Sequence, residues 1–386
     1  MAPACEPGAL DAVILAAGLS SRMDGFKPLY PLGNGTVLGQ AIALFQDAGV
    51  REVLVVSGHN GAAVDAAARA AGARPVRNHA FASGMFTSVQ AGAAALRPDA
   101  AAFLLLPVDI PLVRPATVRA LLAAWRGHAR LVTHPTFRGT RGHPPLVAAL
   151  LREAIIRWTG PRGLRGLLDT LEARASYDVA DVPVADAGIL HDMDTEADYA
   201  RLAARWSQRD LPSREECAAL LRLAGTPALA VAHGQAVAKV AVAVAEALNR
   251  HGAGPSLDSD RIDRAALLHD VAKGDAHHEA AGAALLDAHG FPAIGAIVAA
   301  HRDIPPHPER PLDEADVVFM ADKLVAGVTL VPIEARYGQV LERHGHDPVA
   351  RAAIEGRLAN ALAMRQRMEA VTAIPLTALA AQALEA

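Results

Sequence analysis

Residues 12–29, AVILAAGLSSRMDGFKPL, constrain the fold of this chain more than any other stretch. The apolar run 12–15 has the character of a buried strand, and Ala16, Ala17 and Gly18 turn the chain sharply out of it. Small residues at such a turn let backbone N–H groups approach a polyphosphate closely. Arg22 and Lys27 then place two cations beside the same spot, where they would neutralise phosphate charge. No G-K-[ST] follows, so this is not a Walker A loop, and the glycine spacing is wrong for the dinucleotide fingerprint.

The rest of the first half suits such a strand. Apolar runs at 53–56, 103–106 and 131–133 predict further strands, and Ala-rich stretches near 37–48, 61–71, 86–96 and 115–125 predict helices. The alternation argues for a Rossmann-like α/β domain with a mostly parallel sheet, whose ligands sit beyond the carboxyl ends of the strands. FLLLPVDIP (103–111) puts Asp109 at such an end, where Mg²⁺ and phosphates would sit. A hard cation takes one or two carboxylates and fills its shell with substrate oxygens. A second candidate carboxylate lies in HDMDTEAD (191–198), where Thr195 and Asp198 have capping-box spacing, so Asp198 is expected to cap a helix.

Near WSQRDLPSR (206–214) the alternation ends, and polar residues with Pro212 mark a boundary. A chain of 386 residues suits two domains of roughly 150–200 residues. The expected division is an α/β domain over 8–205, a linker over 206–215 and an all-α domain over 216–386. Ser213 and Glu216 signal the first helix of the second domain, and residues 325–336 and 347–386 are expected to be helical. Into this background are set His233, the pair His269-Asp270, His278, His301 and Asp322. Neighbouring helices can aim such side chains at one centre, and imidazole with carboxylate suits Mn, Fe, Co, Ni, Zn or Mg. His278 is preferred to its neighbour His277 for its spacing to Gly282-Ala283, and His59, His79, His128, His251, His289, His344 and His346 are read as exposed or core residues.

Composition narrows the partners. The formal charge of −4 gives no basic footprint for nucleic acid, and two cysteines are too few for a disulfide framework. The run 237–248 is apolar, but Lys239 and Glu246 interrupt it and it is too short to span a bilayer. With no secretory signal in view, a cytoplasmic protein without a membrane or nucleic-acid partner is expected.

Two resemblances sharpen this picture. LAAGLSSRM with Lys27, the Ser83-Gly84-Met85-x-x-Ser88 segment, LPVDIP, Arg141-Gly142-His143-Pro144 and DMDTEADY together resemble the MobA-like nucleotidyltransferases, most closely their molybdenum-cofactor cytidylyltransferase branch. Asp24-Gly25-Phe26 stands where relatives often have Gly first, a small departure that leaves Lys27 in place. The resemblance implies an NTP bound by Leu15, Ala16, Ala17, Gly18, Arg22, Lys27 and Ser88, with Mg²⁺ on Asp109 and Asp194. It implies catalytic roles for Arg22, Lys27 and Asp109, and a phosphorylated acceptor, molybdopterin, near Arg141 and His143. His143 reads equally well as a structural residue. Ala17 in LAAG, where the guanylyltransferase branch has LAGG, favours CTP, and a molybdoenzyme client follows as a partner. A sugar-phosphate or polyol-phosphate acceptor, or a molybdopterin carrier without turnover, are the alternatives.

The ordered set His233 … His269-Asp270 … Asp322 resembles the HD metal-dependent phosphohydrolases. This second resemblance implies phosphoester hydrolysis with one or two divalent transition metals such as Mn or Fe. The metals would be held by His233, His269, Asp270, His278, His301 and Asp322, with Asp270 bridging and Lys273 assisting catalysis.

Overall fold

The structure is a computed structural model, and it describes residues 10–19, 23–173, 178–252, 256–307 and 309–385. The chain divides into two compact units, Met1–Arg209 and Asp210–Ala386.

Seven strands of the first unit lie side by side in the order Val179–Pro183, Val132–Phe137, Leu146–Ala148, Ala102–Pro107, Leu10–Ala16, Glu52–Ser57, Arg74–Arg77. Pairing is parallel except around Leu146–Ala148, which runs antiparallel to both its neighbours; an eighth strand, Thr140–Arg141, pairs antiparallel with Val132–Phe137. The central strands are apolar because both faces are covered: Ala12, Val13, Ile14, Leu54, Val55, Val56, Leu104 and Leu106 are fully buried. The helices are α1 (Val37–Asp47), α2 (Gly61–Ala70), α3 (Met85–Ala95), α4 (Pro115–Gly127), α5 (Arg152–Arg157), α6 (Gly163–Glu172) and α7 (Glu196–Ser207). Gly92 of α3 lies against the sheet, where an added Cβ would come within 2.4 Å of Val13 Cγ1.

The second unit holds α8 (Arg214–Leu223), α9 (Ala228–Arg250), α10 (Ser259–Leu268), α11 (His278–Ala288), α12 (Pro292–Ala300), α13 (Glu314–Leu324), α14 (Ile333–His344), α15 (Pro348–Thr372) and α16 (Leu376–Glu385). Two sequence expectations are corrected here. Residues 325–336 are not one helix: Val325–Ala326 and Thr329–Leu330 form a short antiparallel hairpin, and α14 starts only at Ile333. The cause is local, since Gly327 turns the chain at φ +59° between β-branched residues. The apolar run 237–248 is likewise part of a longer element. α9 has 23 residues and is long and apolar enough to cross a membrane. Here, however, it is the central helix of the unit, packed against α10, α13 and α16.

Candidate functional sites

The first site forms where two parallel neighbours, Leu10–Ala16 and Ala102–Pro107, end. The Val108 N–H donates to Leu15 O at 3.1 Å, and Asp109 follows directly. The Met193 N–H donates to Asp109 O at 2.9 Å, which draws the Asp194 segment to the same strand end. Lys27 reaches in from a short 3₁₀ turn, Lys27–Leu29. Its Nζ stands 2.8 Å from Asp194 Oδ1 and 3.8 Å from Asp109 Oδ2. Residues separated by 167 positions in the chain thus share one charge cluster.

The register of this cluster is set by Glu196, at the start of α7. Its carboxylate accepts from the Asp24 N–H at 3.1 Å and from the Tyr30 hydroxyl, while the Gly25 N–H donates to Tyr30 Oη at 2.9 Å. Asp198 plays the expected capping role: the Thr195 N–H donates to its Oδ2 at 2.8 Å, and its own N–H donates to Thr195 Oγ1 at 3.2 Å. The Thr195 hydroxyl, which donates to Asp198 Oδ2 at 2.7 Å, and then the Thr195 N–H hold that carboxyl below the usual range. Asp109 is shifted the other way. Burial raises its pKa and Asp194 adds to the shift, against the opposing charge of Lys27.

A cavity of about 290 Å³ lies beside the cluster, lined among others by Leu15, Ala17, Gly18, Lys27, Ser88 and Asp109. Gly84, at φ +115° and ψ 164°, opens α3 towards it, a conformation essentially reserved for glycine. The first turn of α3 thereby borders the cavity through Met85 and Ser88, and helix N-termini offer N–H groups to anions. Ala16 is buried in the strand and does not line the cavity, and Arg22 lies outside the described residues.

Arg141 and His143 are not among the cavity's lining residues. The Arg141 guanidinium grips Asp181 with two hydrogen bonds, at 2.7 and 3.2 Å. Gly142 packs so closely on the chain at Ile189 that an added Cβ would meet Ile189 O at 2.5 Å, and the His143 N–H donates to the same oxygen at 3.0 Å. Burial lowers the His143 pKa, and its Nδ1 has no hydrogen-bond partner among the described residues.

The second site is built from helix ends. α9 supplies His233; α10 finishes at Leu268, so that His269 caps it and Asp270 follows; α11 begins at His278; His301 caps α12; and Asp322 lies in the last turn of α13. Two donor groups share one carboxylate: His233, His269 and Asp270 form the first, and Asp270, His278 and His301 the second. Asp270 divides its oxygens between them. Oδ2 stands 3.6 Å from His269 Nε2, whereas Oδ1 stands 3.3 Å from His278 Nε2 and 3.8 Å from His301 Nε2. Asp322 Oδ1 lies 3.1 Å from His233 Nε2 and 3.8 Å from His269 Nε2. Lys273 pairs with Asp270 at 3.0 Å.

The outer ring nitrogens are already engaged. Nδ1 of His269 bonds Ala266 O at 2.8 Å, Nδ1 of His301 bonds Val298 O at 2.6 Å, and Nδ1 of His233 bonds Gly327 O at 3.0 Å. These bonds leave Nε2 to face inward, the arrangement that orients metal-binding imidazoles. His269 Nε2 is buried without a hydrogen-bond partner among the described residues. Burial lowers the pKa of His269, and burial together with the charge of His269 takes His301 down to about 4. Burial would raise Asp270, but His269 and Lys273 hold it low. Lowered imidazole pKa values at His269 and His301 beside a lowered carboxylate at Asp270 suit a divalent cation, which competes with protons for the same atoms, so these residues fit a two-ion centre. His277, the helix cap beside His278, is exposed.

The sequence reading missed four residues that line the same cavity of about 640 Å³: Glu279, Arg302, Lys323 and Arg336. Lys323 Nζ donates to Asp322 Oδ2 at 2.6 Å and to His301 O at 3.0 Å, and Arg336 Nη2 donates to Asp322 Oδ1 at 3.1 Å. Burial would raise the Asp322 pKa, but Lys323 and Arg336 hold its carboxyl well below the usual range. The advance signal was a lysine next to an aspartate in the otherwise apolar stretch 317–326.

Comparison with known proteins places a family in each unit of the chain. Residues 12–175 match the family model described as the MobA-like NTP transferase domain, and residues 231–327 match the HD domain. The molybdenum cofactor cytidylyltransferase of Escherichia coli (strain K12) is 28% identical over 201 residues, 52% of this chain and 98% of its own length. The nicotine blue oxidoreductase of Paenarthrobacter nicotinovorans is 35% identical over 149 residues, 37% of this chain and 72% of its own. A solved nucleotidyl transferase from Methanothermobacter is 25% identical, with 52% of this chain and 98% of that one aligned at a TM-score of 0.46.

Proposed function

Because the chain belongs to the MobA-like NTP transferase family and carries an HD domain besides, we propose a bifunctional enzyme. Its first unit transfers CMP from CTP to a phosphorylated acceptor, molybdopterin, and releases pyrophosphate; its second hydrolyses a phosphoester. The observation that carries the first assignment is Lys27, set between Asp109 and Asp194 at the edge of a cavity. The name of the E. coli relative and Ala17 in LAAG support molybdopterin and CTP. One relative is named an oxidoreductase. Two carboxylates around a lysine favour nucleotidyl transfer here, because that is the donor set a triphosphate and its cation need.

In this reading an acceptor phosphate oxygen attacks the α-phosphorus in line, its bond forms as the bond to the β-phosphate oxygen breaks, and pyrophosphate leaves. Lys27 and Arg22 hold the triphosphate and neutralise the charge growing on the leaving group. Gly18 and the first turn of α3 bring backbone N–H groups to the phosphates. His143 and Arg141 serve the acceptor, which requires Arg141 to exchange Asp181 for a phosphate. Mg²⁺ on Asp109 and Asp194 would supply further charge neutralisation and orientation.

In the second unit His233, His269, Asp270, His278, His301 and Asp322 would hold two divalent ions of the Mn or Fe type, which supply a hydroxide nucleophile and polarise the phosphate. Lys273 keeps Asp270 ionised and stands at the cavity wall, where a phosphate oxygen would be received.

The test is pyrophosphate release by the full-length protein with Mg²⁺, molybdopterin and each NTP in turn, beside Asp109→Ala. Release with CTP alone, lost in the variant, is expected. Release with GTP instead moves the chain to the guanylyl branch, and no release with any NTP refutes the assignment. For the second unit, phosphoester hydrolysis with Mn²⁺ is expected to disappear in Asp270→Ala.

A further inference from the structure

We propose that Glu279 is a further protein donor to the second ion, beside Asp270, His278 and His301; the inference rests on the two-ion reading above. Glu279 lies in the first turn of α11 and is only 7% exposed, yet its Oε1 has no hydrogen-bond partner among the described residues. That oxygen stands 3.7 Å from His278 Nε2, the nitrogen that itself stands 3.3 Å from Asp270 Oδ1. Adjacent residues of a helix ordinarily do not face each other. Here the convergence occurs at the helix start, where His278 is the first residue, and both side chains line the same cavity.

A buried carboxylate without a compensating charge is strongly unfavourable, so its retention points to a cation. The available one, Arg302 Nε, is 3.4 Å away without a hydrogen bond, and its side chain is 54% exposed. Arg302 can therefore swing into solvent at little cost.

Charge balance gives the same answer. The first centre shares Asp270 and has Asp322 for itself. The second has two imidazoles, which bring no negative charge, and only a share of Asp270, so a divalent ion there would be under-neutralised. Glu279 supplies the second centre with a carboxylate of its own.

The experiment is Mn²⁺ titration of full-length protein stripped by chelator, read by calorimetry, metal analysis and electron paramagnetic resonance of the coupled pair. It is done in an Asp109→Ala background, so that the first unit adds no site. The parent is expected to bind two ions. Glu279→Gln is expected to keep the first and bind the second at least ~10-fold more weakly, with loss of the coupled signal, and Glu279→Asp is expected to recover part of both. Arg302→Ala, which removes the competing cation, is expected to bind the second ion as well or better; weaker binding there would make Arg302 the true partner and overturn the proposal. Two ions bound by Glu279→Gln with parental affinities would overturn it while leaving the two-ion reading intact. Fewer than two in the parent would overturn both. Should Glu279→Gln lose its helical signal, the Arg302→Ala result decides.

Discussion

Lys323 holds the second site together, and replacing it with Met tests how much. The substitution removes the charge while nearly keeping the volume. Lys323 is 7% exposed; its Nζ bonds Asp322 Oδ2 at 2.6 Å and His301 O at 3.0 Å and lies 4.9 Å over the Phe319 ring. Removing one partner of a buried ion pair costs about 3–5 kcal/mol. Asp322 would keep Arg336 at 3.1 Å and His233 at 3.1 Å, so the lower end, about 3 kcal/mol, is expected. In a domain of this size 1 kcal/mol moves Tm by about 2–4 °C, so the transition of the second unit should fall by about 6–12 °C. Calorimetry of full-length protein in chelator measures it. The acid limb gives a second reading. The depressed Asp322 pKa contributes stability that is present above the unfolded carboxyl value and lost as pH falls through the folded one. Without Lys323 the folded value rises and that loss begins at higher pH. A fall in Tm below ~2 °C with an unchanged acid limb would refute the reasoning.

Asp194→Ala and Asp198→Ala should separate a charge site from a cap. The first should reduce pyrophosphate release at least ~100-fold with little change in Tm, and the second should cost about 1 kcal/mol of stability with near-normal turnover; the reverse pattern would exchange their roles. Gly142→Ala should destabilise the first unit by about 1–3 kcal/mol, because its Cβ would fall 2.5 Å from Ile189 O; a denaturant midpoint equal to the parent's would contradict that packing. In chelator, both units should lose stability as pH falls from ~6.5 to about 4. The reason is that burial holds His301, and burial with Arg141 holds His134, at about 4 in the folded state, while the unfolded chain takes up the protons first. Melting temperatures that stay flat over that window would count against both burials.

What could be read in advance follows from the range of the interactions. The strands around 12–15, 53–56 and 103–106 were legible because burial on both faces demands continuous apolar runs, and Asp198 was legible because a capping box spans three residues. His269 and Asp270 were legible as a pair because they sit together at one helix end. The hairpin at 325–330 was not, since two-residue strands leave no periodicity to detect. It matters nonetheless, because Gly327 O fixes the His233 ring. Glu279, Arg302, Lys323 and Arg336 belong to the same class: each acts on a group contributed by another part of the fold or by a neighbour whose direction only the fold determines.

That division has a consequence for how the second site works. Apart from Lys273, the second-site residues named in advance are those able to hold ions, whereas Arg302, Lys323 and Arg336, found only in three dimensions, set the charge that the ions must meet. Asp322 is already balanced by Lys323 and Arg336, and Asp270 by Lys273. Of the three cavity carboxylates Asp270, Asp322 and Glu279, Glu279 has the loosest contact with a cation, at 3.4 Å from Arg302. If ion binding displaces cations from carboxylates, the carboxylate least firmly paired should be recruited at the lowest cost. The second ion should therefore be the more exchangeable of the two, since fewer fixed charges hold its ligands in place before it arrives. Chelator added in steps to the Mn²⁺-loaded protein should remove the ion of His278 and His301 first, seen as complete loss of the coupled signal by the point at which half the metal is gone. Simultaneous release of both ions would show that Asp270, shared between them, outweighs the difference in their surroundings.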